Sequence, residues 1–338
     1  MCTSISYEAL DGSKFLARTM DFAFELNGQP TFLPRDYDWI SSFDNKTYQT
    51  SYAIMGTGAK YGNNYMVADG FNEYGLSCAE LYFPHEYVYD EKPTDGDMNL
   101  VSEEFILWAL GNNKTIDELR ENIKKVHIIE SDKGVMGTNQ PLHWIFSDAT
   151  GDTYIIEPEG DGLVLEEDKI GVMTNTPDFD WHRTNLANYL GASTNNFNSA
   201  QFGDEEITKL GQNGTFRLPG GYTAVDRFVR TAFNRTHTEK PENATEAVPT
   251  IMHILDSVVV PKGVNIGDRG PSYTQYQAIL DMTNKTMYYI PYSNQTVFSV
   301  TMTDDLIKNQ TTPKEFEIPM TQGFVNLERE NARVISEH

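Results

Sequence analysis

Residues 1–22 read MCTSISYEALDGSKFLARTMDF. Two β-prone runs, Cys2 to Ala9 and Lys14 to Asp21, flank Asp11-Gly12, a dipeptide favoured in hairpin turns. The stretch predicts a β-hairpin at the start of the chain. In a strict two-residue loop Leu10 pairs with Ser13 and Cys2 falls opposite Asp21, with Cβ atoms roughly 5 Å apart. Arg18 then faces the other side of the sheet. Bringing both Arg18 and Asp21 to Cys2 therefore requires a bulge, or a departure of the chain after Arg18.

Working outward, strand signals recur at Tyr65 to Ala68, Leu76 to Phe83, His143 to Ser147, Thr153 to Glu157, Leu163 to Glu166 and Met287 to Tyr292. Helical periodicity runs from Leu100 to Leu110, from Thr115 to Lys125 with Thr115 as cap and Glu118 three residues on, from Asp226 to Phe233, and from Ala247 to Val258. Strands and helices interleave without a regular βαβ rhythm, an internal repeat or a flexible linker, so a single domain over 1–338 is expected. The polar stretch from Asn185 to Gly221 is too long for an ordinary connection and reads as an excursion with its own purpose.

Composition narrows the function. A formal charge of −23 disfavours nucleic acid and anionic membrane surfaces, which are bound through Lys and Arg. Two cysteines, Cys2 and Cys78, make neither a disulfide framework nor a cysteine-rich zinc site. The first residues lack a basic segment followed by an apolar one, and no apolar run is long enough to span a bilayer, so cytoplasmic residence is expected. The histidines are scattered without metal-site spacing; no metal and no cofactor is expected.

Cys2 carries the chemistry. Once Met1 is trimmed, one residue supplies both a thiol and an α-amine whose ordinary pKa of about 7.7–8.0 suits a general base. A free cysteine is more often a small buried hydrophobe, so its neighbours decide the matter. A reactive thiolate wants positive charge and the amine wants a carboxylate, and Arg18 and Asp21 lie in the next strand. On their own they would be a surface ion pair of little value. Asn175, in Val172-Met173-Thr174-Asn175-Thr176-Pro177, either starts a turn or donates its amide to an oxyanion, a contribution of roughly 3 kcal/mol.

With these residues in view, the chain resembles the choloylglycine hydrolase family, which contains bile salt hydrolases and penicillin V acylases. The resemblance extends over essentially the full length. It rests on Met1-Cys2-Thr3, on Leu16 to Phe22, on Gly70-Phe71-Asn72-Glu73-Tyr74-Gly75-Leu76, on Met173-Thr174-Asn175 with Trp181-His182, and on Leu218-Pro219-Gly220-Gly221 leading to Arg227-Phe228. It implies an α+β fold, a four-layer αββα sandwich of the N-terminal-nucleophile type. It also implies roles: Cys2 as nucleophile and base, Arg18 beside the thiolate, Asp21 orienting the amine, Asn175 in the oxyanion hole, and Arg227, in preference to Arg230, as electrostatic support. Tyr82 is similar to the penicillin V acylase branch, where the bile-salt branch typically has asparagine. Its backbone N–H would serve the oxyanion and its ring the acyl pocket.

Met20, Phe22, Phe24, Tyr61 and Met66 are the candidate pocket residues, and Trp181 and His182 are expected to brace the Asn175 loop. The expected activity is hydrolysis of a linear amide in a small-molecule N-acyl substrate, with penicillin V favoured and conjugated bile salts the close alternative. A non-catalytic binder of the same fold is the rival from another class. The resemblance also implies a homotetramer, with the Asn185 to Gly221 excursion reaching a neighbouring subunit.

Overall fold

The structure, a computed structural model, describes residues 1–134, 137, 139–160, 162–267 and 270–326. β1 (Cys2–Glu8) and β2 (Lys14–Phe22) form the hairpin that residues 1–22 predict. Its loop is one residue longer than the strict turn: Ala9 donates its N–H to the Ser13 carbonyl at 3.0 Å, enclosing Leu10-Asp11-Gly12 with Gly12 at φ 89°. A three-residue loop ending in a left-handed residue is a common hairpin form, and glycine takes that conformation without strain.

The extra residue moves the register by one, so Cys2 pairs with Met20 and Ser4 with Arg18. Side chains alternate across a strand, and one step of register exchanges their faces. Cys2, Ser4, Arg18 and Met20 consequently share one face, while Thr3, Thr19 and Asp21 share the other. This corrects the expected Cys2–Asp21 pairing: Arg18 joins the Cys2 face without a bulge, and the Asp21 side chain stays on the other. The irregularity lies in the neighbouring strand, between Thr274 and Tyr276.

Two sheets form the frame. The first runs in the spatial order Val172–Met173, β1, β2, Tyr273–Asp281, Thr286–Pro291, Phe298–Thr301. The second runs Glu166–Glu167, Thr153–Ile156, Leu142–Ser147, Ser77–Tyr82, Asn64–Asn72, Ile54–Tyr61, Gln29–Leu33, Lys314–Glu315.

Period-two alternation decides what lies between and outside them. Phe32, Met55, Phe71, Ala79, Leu81 and Ile145 of the second sheet belong to one core with Leu16, Ala278 and Leu280, which share the Arg18 face of the first. Their neighbours Leu33, Ile54, Cys78, Trp144 and Phe146 face outward onto α1 (Phe105–Asn112) and α2 (Ile116–Asn122). Thr115 caps α2 by accepting from the Glu118 N–H at 3.2 Å, as its spacing predicts. Past α3 (Phe179–Asn185), helices α4 (Ala224–His237) and α5 (Ala244–Asp256) cover the outer face of the first sheet through Phe228, Ala232, Ile251 and Leu255. The resulting order is helix, sheet, sheet, helix.

Two local features position the site. The Gly70 to Leu76 motif is a turn tied to α1: Asn72 Nδ2 donates to the Leu110 and Asn113 carbonyls at 2.9 and 2.6 Å, and its Oδ1 accepts from Tyr74 and Leu76. The strands on either side of that turn pair over Phe71–Ser77, Gly70–Cys78 and Asp69–Ala79 and then part. The earlier strand follows Ile54–Tyr61, whose own register shifts between Thr57 and Gly58. A gap opens in the second sheet opposite the start of β1.

Candidate active site

Cys2 sits at the head of β1, 2% exposed, with its Sγ 3.9 Å from Met20 Sδ. Its N–H donates to Asn175 Oδ1 at 2.8 Å. Asn175 arrives there because Val172–Met173 pairs with β1, Met173 lying beside Ser4, and the chain continues past the start of that strand. Asn175 Oδ1 also accepts from Arg227 Nη2 at 2.7 Å, and its Nδ2 donates to the Tyr82 carbonyl at 2.6 Å. Both ends of the amide are thereby fixed, and one of the two Nδ2 hydrogens is left for another acceptor.

Arg227 reaches the site from the first turns of α4. Its Nη1 donates to the Cys2 carbonyl and, at 2.7 Å, to Thr3 Oγ1, while Nε donates to the Tyr222 carbonyl at 3.0 Å. Burial lowers its pKa, with Asp21 and Cys2 opposing that shift. Arg230 is spent elsewhere, on the carbonyls of Ser257, Pro219 and Gly221.

Arg18 lies on the Cys2 face, fully enclosed. It donates to the Ala68 carbonyl at 3.1 Å, lies 3.5 Å from Asp69 Oδ2, and makes a further donation to Met20 Sδ at 3.4 Å. Burial alone would lower its pKa, but Cys2, Tyr276, Asp69 and Glu80 outweigh burial and raise it, so the guanidinium stays charged beside the thiol. Asp69 is itself held by Thr57 Oγ1 at 2.7 Å and by the Tyr276 hydroxyl at 2.7 Å. Asp21 lies on the opposite face of β2. Its carboxylate accepts from Thr274 Oγ1 at 2.5 Å and Thr19 Oγ1 at 3.4 Å, and its backbone carbonyl accepts from the Met1 amine at 2.7 Å.

The Asn175 loop, which contains a cis Thr176-Pro177 bond, is braced by two histidines. His182 Nε2 lies 2.8 Å from the Asn175 carbonyl, and its ring stacks on Phe228 with centroids 4.5 Å apart. Burial lowers the His182 pKa. His143 holds the Thr174 carbonyl at 3.1 Å through Nε2 and Glu157 at 2.8 Å through Nδ1. Trp181 packs edge-on against the His182 ring, centroids 5.7 Å apart, and is itself 44% exposed.

A half-open cleft, about 830 Å³ with its solvent-filled mouth included, opens onto the Cys2 thiol. Of the expected pocket residues, Met20, Phe22, Tyr61 and Met66 line it, and so does Tyr82. Phe24 stands outside the lining, packed edge-on against Phe22 at 4.6 Å, because β2 ends at Phe22 and the chain bends at Ala23 and Phe24. The sequence reading missed Glu80, Glu103 and Tyr276, which also line the cleft. Glu80 falls within the Leu76 to Phe83 strand signal, which by itself does not assign its face. The signal for its face was the helical run from Leu100, which covers that side of the sheet.

Comparison with known proteins gives the family and the fold. Residues 2–315 match the model for linear amide C–N hydrolases of the choloylglycine hydrolase family. A bile salt hydrolase/transferase of Clostridium perfringens is 31% identical over 96% of this chain and 100% of its own length. The crystal structure of a variant of the conjugated bile acid hydrolase from that organism superposes with a TM-score of 0.88 at 30% identity, covering 97% of this chain and all of the other. The penicillin V acylase of Agrobacterium tumefaciens superposes with a TM-score of 0.73 at 26% identity, covering 93% of this chain and 90% of the other. This chain therefore belongs to the choloylglycine hydrolase family of linear amide C–N hydrolases.

Proposed function

We propose that Cys2, freed of Met1, is the nucleophile and that its own α-amine is the base. The thiol proton passes to the amine and the thiolate attacks the substrate carbonyl. The oxyanion takes the second Nδ2 hydrogen of Asn175 and the Tyr82 N–H. Support for the latter comes from the strand ladder: Phe83 donates to Pro141, so alternation turns the Tyr82 N–H away from that neighbour and toward the gap. The protonated amine then hands its proton to the leaving nitrogen, the C–N bond breaks, and a thioester remains. Water, deprotonated by the amine, releases the acid and restores the thiol. Arg18 favours the thiolate, Arg227 holds Asn175 and the Cys2 carbonyl, and Asp21 adds negative charge on the amine side.

The observation that carries this reading is the convergence of Arg18, Asn175 and Arg227 on Cys2 where the cleft opens onto its thiol. Cys2→Ala is expected to abolish turnover while leaving the thermal unfolding midpoint within a few degrees. Full turnover in that variant, or in protein whose intact mass retains Met1, would sink it. Loss of turnover with unaltered ligand binding is the expected signature; a natural ligand bound and never cleaved by the wild type would favour the binder.

For substrate, the edge-on Phe22–Tyr82 pair, with centroids 6.0 Å apart beside the thiol, suits an aryl acyl group such as phenoxyacetyl. Penicillin V is the first substrate on this reading. Conjugated bile salts are the second, favoured by the full-length similarity to bile salt hydrolases. Rates on phenoxyacetyl and glycocholyl amides separate the two. We also place the protein in a reducing compartment, consistent with the free, buried thiols of Cys2 and Cys78, and as a homotetramer. The support for assembly is the 185–221 excursion, where Leu190, Phe202, Leu210 and Phe216 are 62–83% exposed.

A further inference from the structure

The cleft does not end between the sheets. Ala79 and Leu81 point into the inter-sheet core, whereas Cys78 and Trp144, the residue paired with Glu80, pack on the helix side of the second sheet. Glu80 shares the Cys78 parity and so leans through the gap, away from Cys2 and toward the helix layer. Glu103, on the turn leading into α1, lines the same cleft and its charge acts on Glu80. Ser102 Oγ donates to Glu103 Oε2 at 3.1 Å. Part of the Glu80 side chain faces the cleft, yet its Oε2 is shielded from solvent and has no hydrogen-bond partner.

An unpartnered oxygen on a buried carboxyl is costly unless something arrives to pair with it. Burial first, and then the negative charge of Glu103, drive the Glu80 pKa well above the carboxylate range. Arg18 opposes that rise through its charge but makes no hydrogen bond to Glu80 Oε2, its own contacts being Asp69 and the Ala68 carbonyl. The lining thus holds two carboxyls and no basic side chain among the described residues, within a chain of formal charge −23.

We infer that Glu80 and Glu103 form a cation subsite in the cleft that Cys2 also lines, which receives a protonated amine carried by the acyl group of the substrate. An ammonium there restores the missing partner of Glu80 Oε2 and offsets the repulsion between the two carboxyls. The aromatic walls at Phe22, Tyr61 and Tyr82 take the intervening apolar chain. This inference rests on the reading of the cleft as the acyl site.

The test compares hexanoyl-, 6-hydroxyhexanoyl- and 6-aminohexanoylglycine, with four- and eight-carbon analogues to cover reach. The wild type is expected to prefer the amine over the plain chain in kcat/KM by about 10- to 150-fold, the range of a hydrogen bond to a charged group. Glu80→Gln should collapse that ratio toward one, and Glu103→Gln makes the same measurement should the first variant fail to fold. A wild-type preference for the plain or hydroxylated chain at every length, or a ratio untouched in a folded Glu80→Gln, overturns the subsite while leaving amide hydrolysis standing. If no amide is cleaved, calorimetric binding of the same ligands to the wild type reads the subsite independently: tighter amine binding that Glu80→Gln removes supports it, and equal binding of all three overturns it.

Discussion

Replacing Asn175 by alanine removes every contact that its amide makes at once, and the structure allows the two consequences to be separated. Cys2 N–H and Arg227 Nη2 both lose their acceptor, at 2.8 and 2.7 Å, where Asn175 is only 5% exposed. Each orphaned buried donor costs about 1–3 kcal/mol, so the variant should be about 2–6 kcal/mol less stable. The catalytic consequence is distinct, because the Nδ2 hydrogen proposed for the oxyanion acts in the transition state alone. Loss of one such donor lowers kcat by about 10²- to 10³-fold. The assay is kcat at saturating phenoxyacetyl or glycocholyl amide, at a temperature where circular dichroism shows the variant folded, with Cys2 alkylation confirming an intact thiol. A kcat within about tenfold of wild type in folded protein would refute the oxyanion role of Asn175.

His182 yields a pH prediction. Its folded pKa is lowered by burial, so below about pH 6.5 the unfolded chain binds the proton more readily, and stability present above that pH is lost as pH falls. His182→Gln, which can still donate to the Asn175 carbonyl, should flatten the fall in unfolding free energy between pH 7 and pH 5 relative to wild type; parallel curves would reject the assignment. For assembly, replacing 191–217 by a short Gly-Ser link is expected to lower the solution mass measured by light scattering, and an unchanged mass would reject the interface.

What could be read from the residues alone was local. The hairpin, the α2 cap and the alternating strands follow from periodicity and turn chemistry, which act over a few neighbours. Leu100 to Leu110 was read as one helix and proves to be a short 3₁₀ turn, Ser102–Glu104, followed by Phe105–Asn112. Leu163 to Glu166 was read as a strand, yet pairing begins at Glu166, since a ladder needs a partner that the segment cannot specify. The resemblance named Cys2, Arg18, Asn175 and Arg227, residues 225 positions apart at the extremes, and the fold brings them together.

The amino-acid sequence by itself determined the ingredients: a thiol at position 2, a hairpin, a cationic neighbour, and an asparagine two residues before a proline. Tertiary structure decided which face each occupies. One residue in the loop at Gly12 set the register that puts Arg18 beside Cys2 and Asp21 behind it. The parting of two strands beyond Asp69 and Ala79 put Glu80 in the lining of a cleft. Both outcomes depend on pairing between distant segments, whose energies are settled by the packing of whole sheets rather than by any residue's own preference.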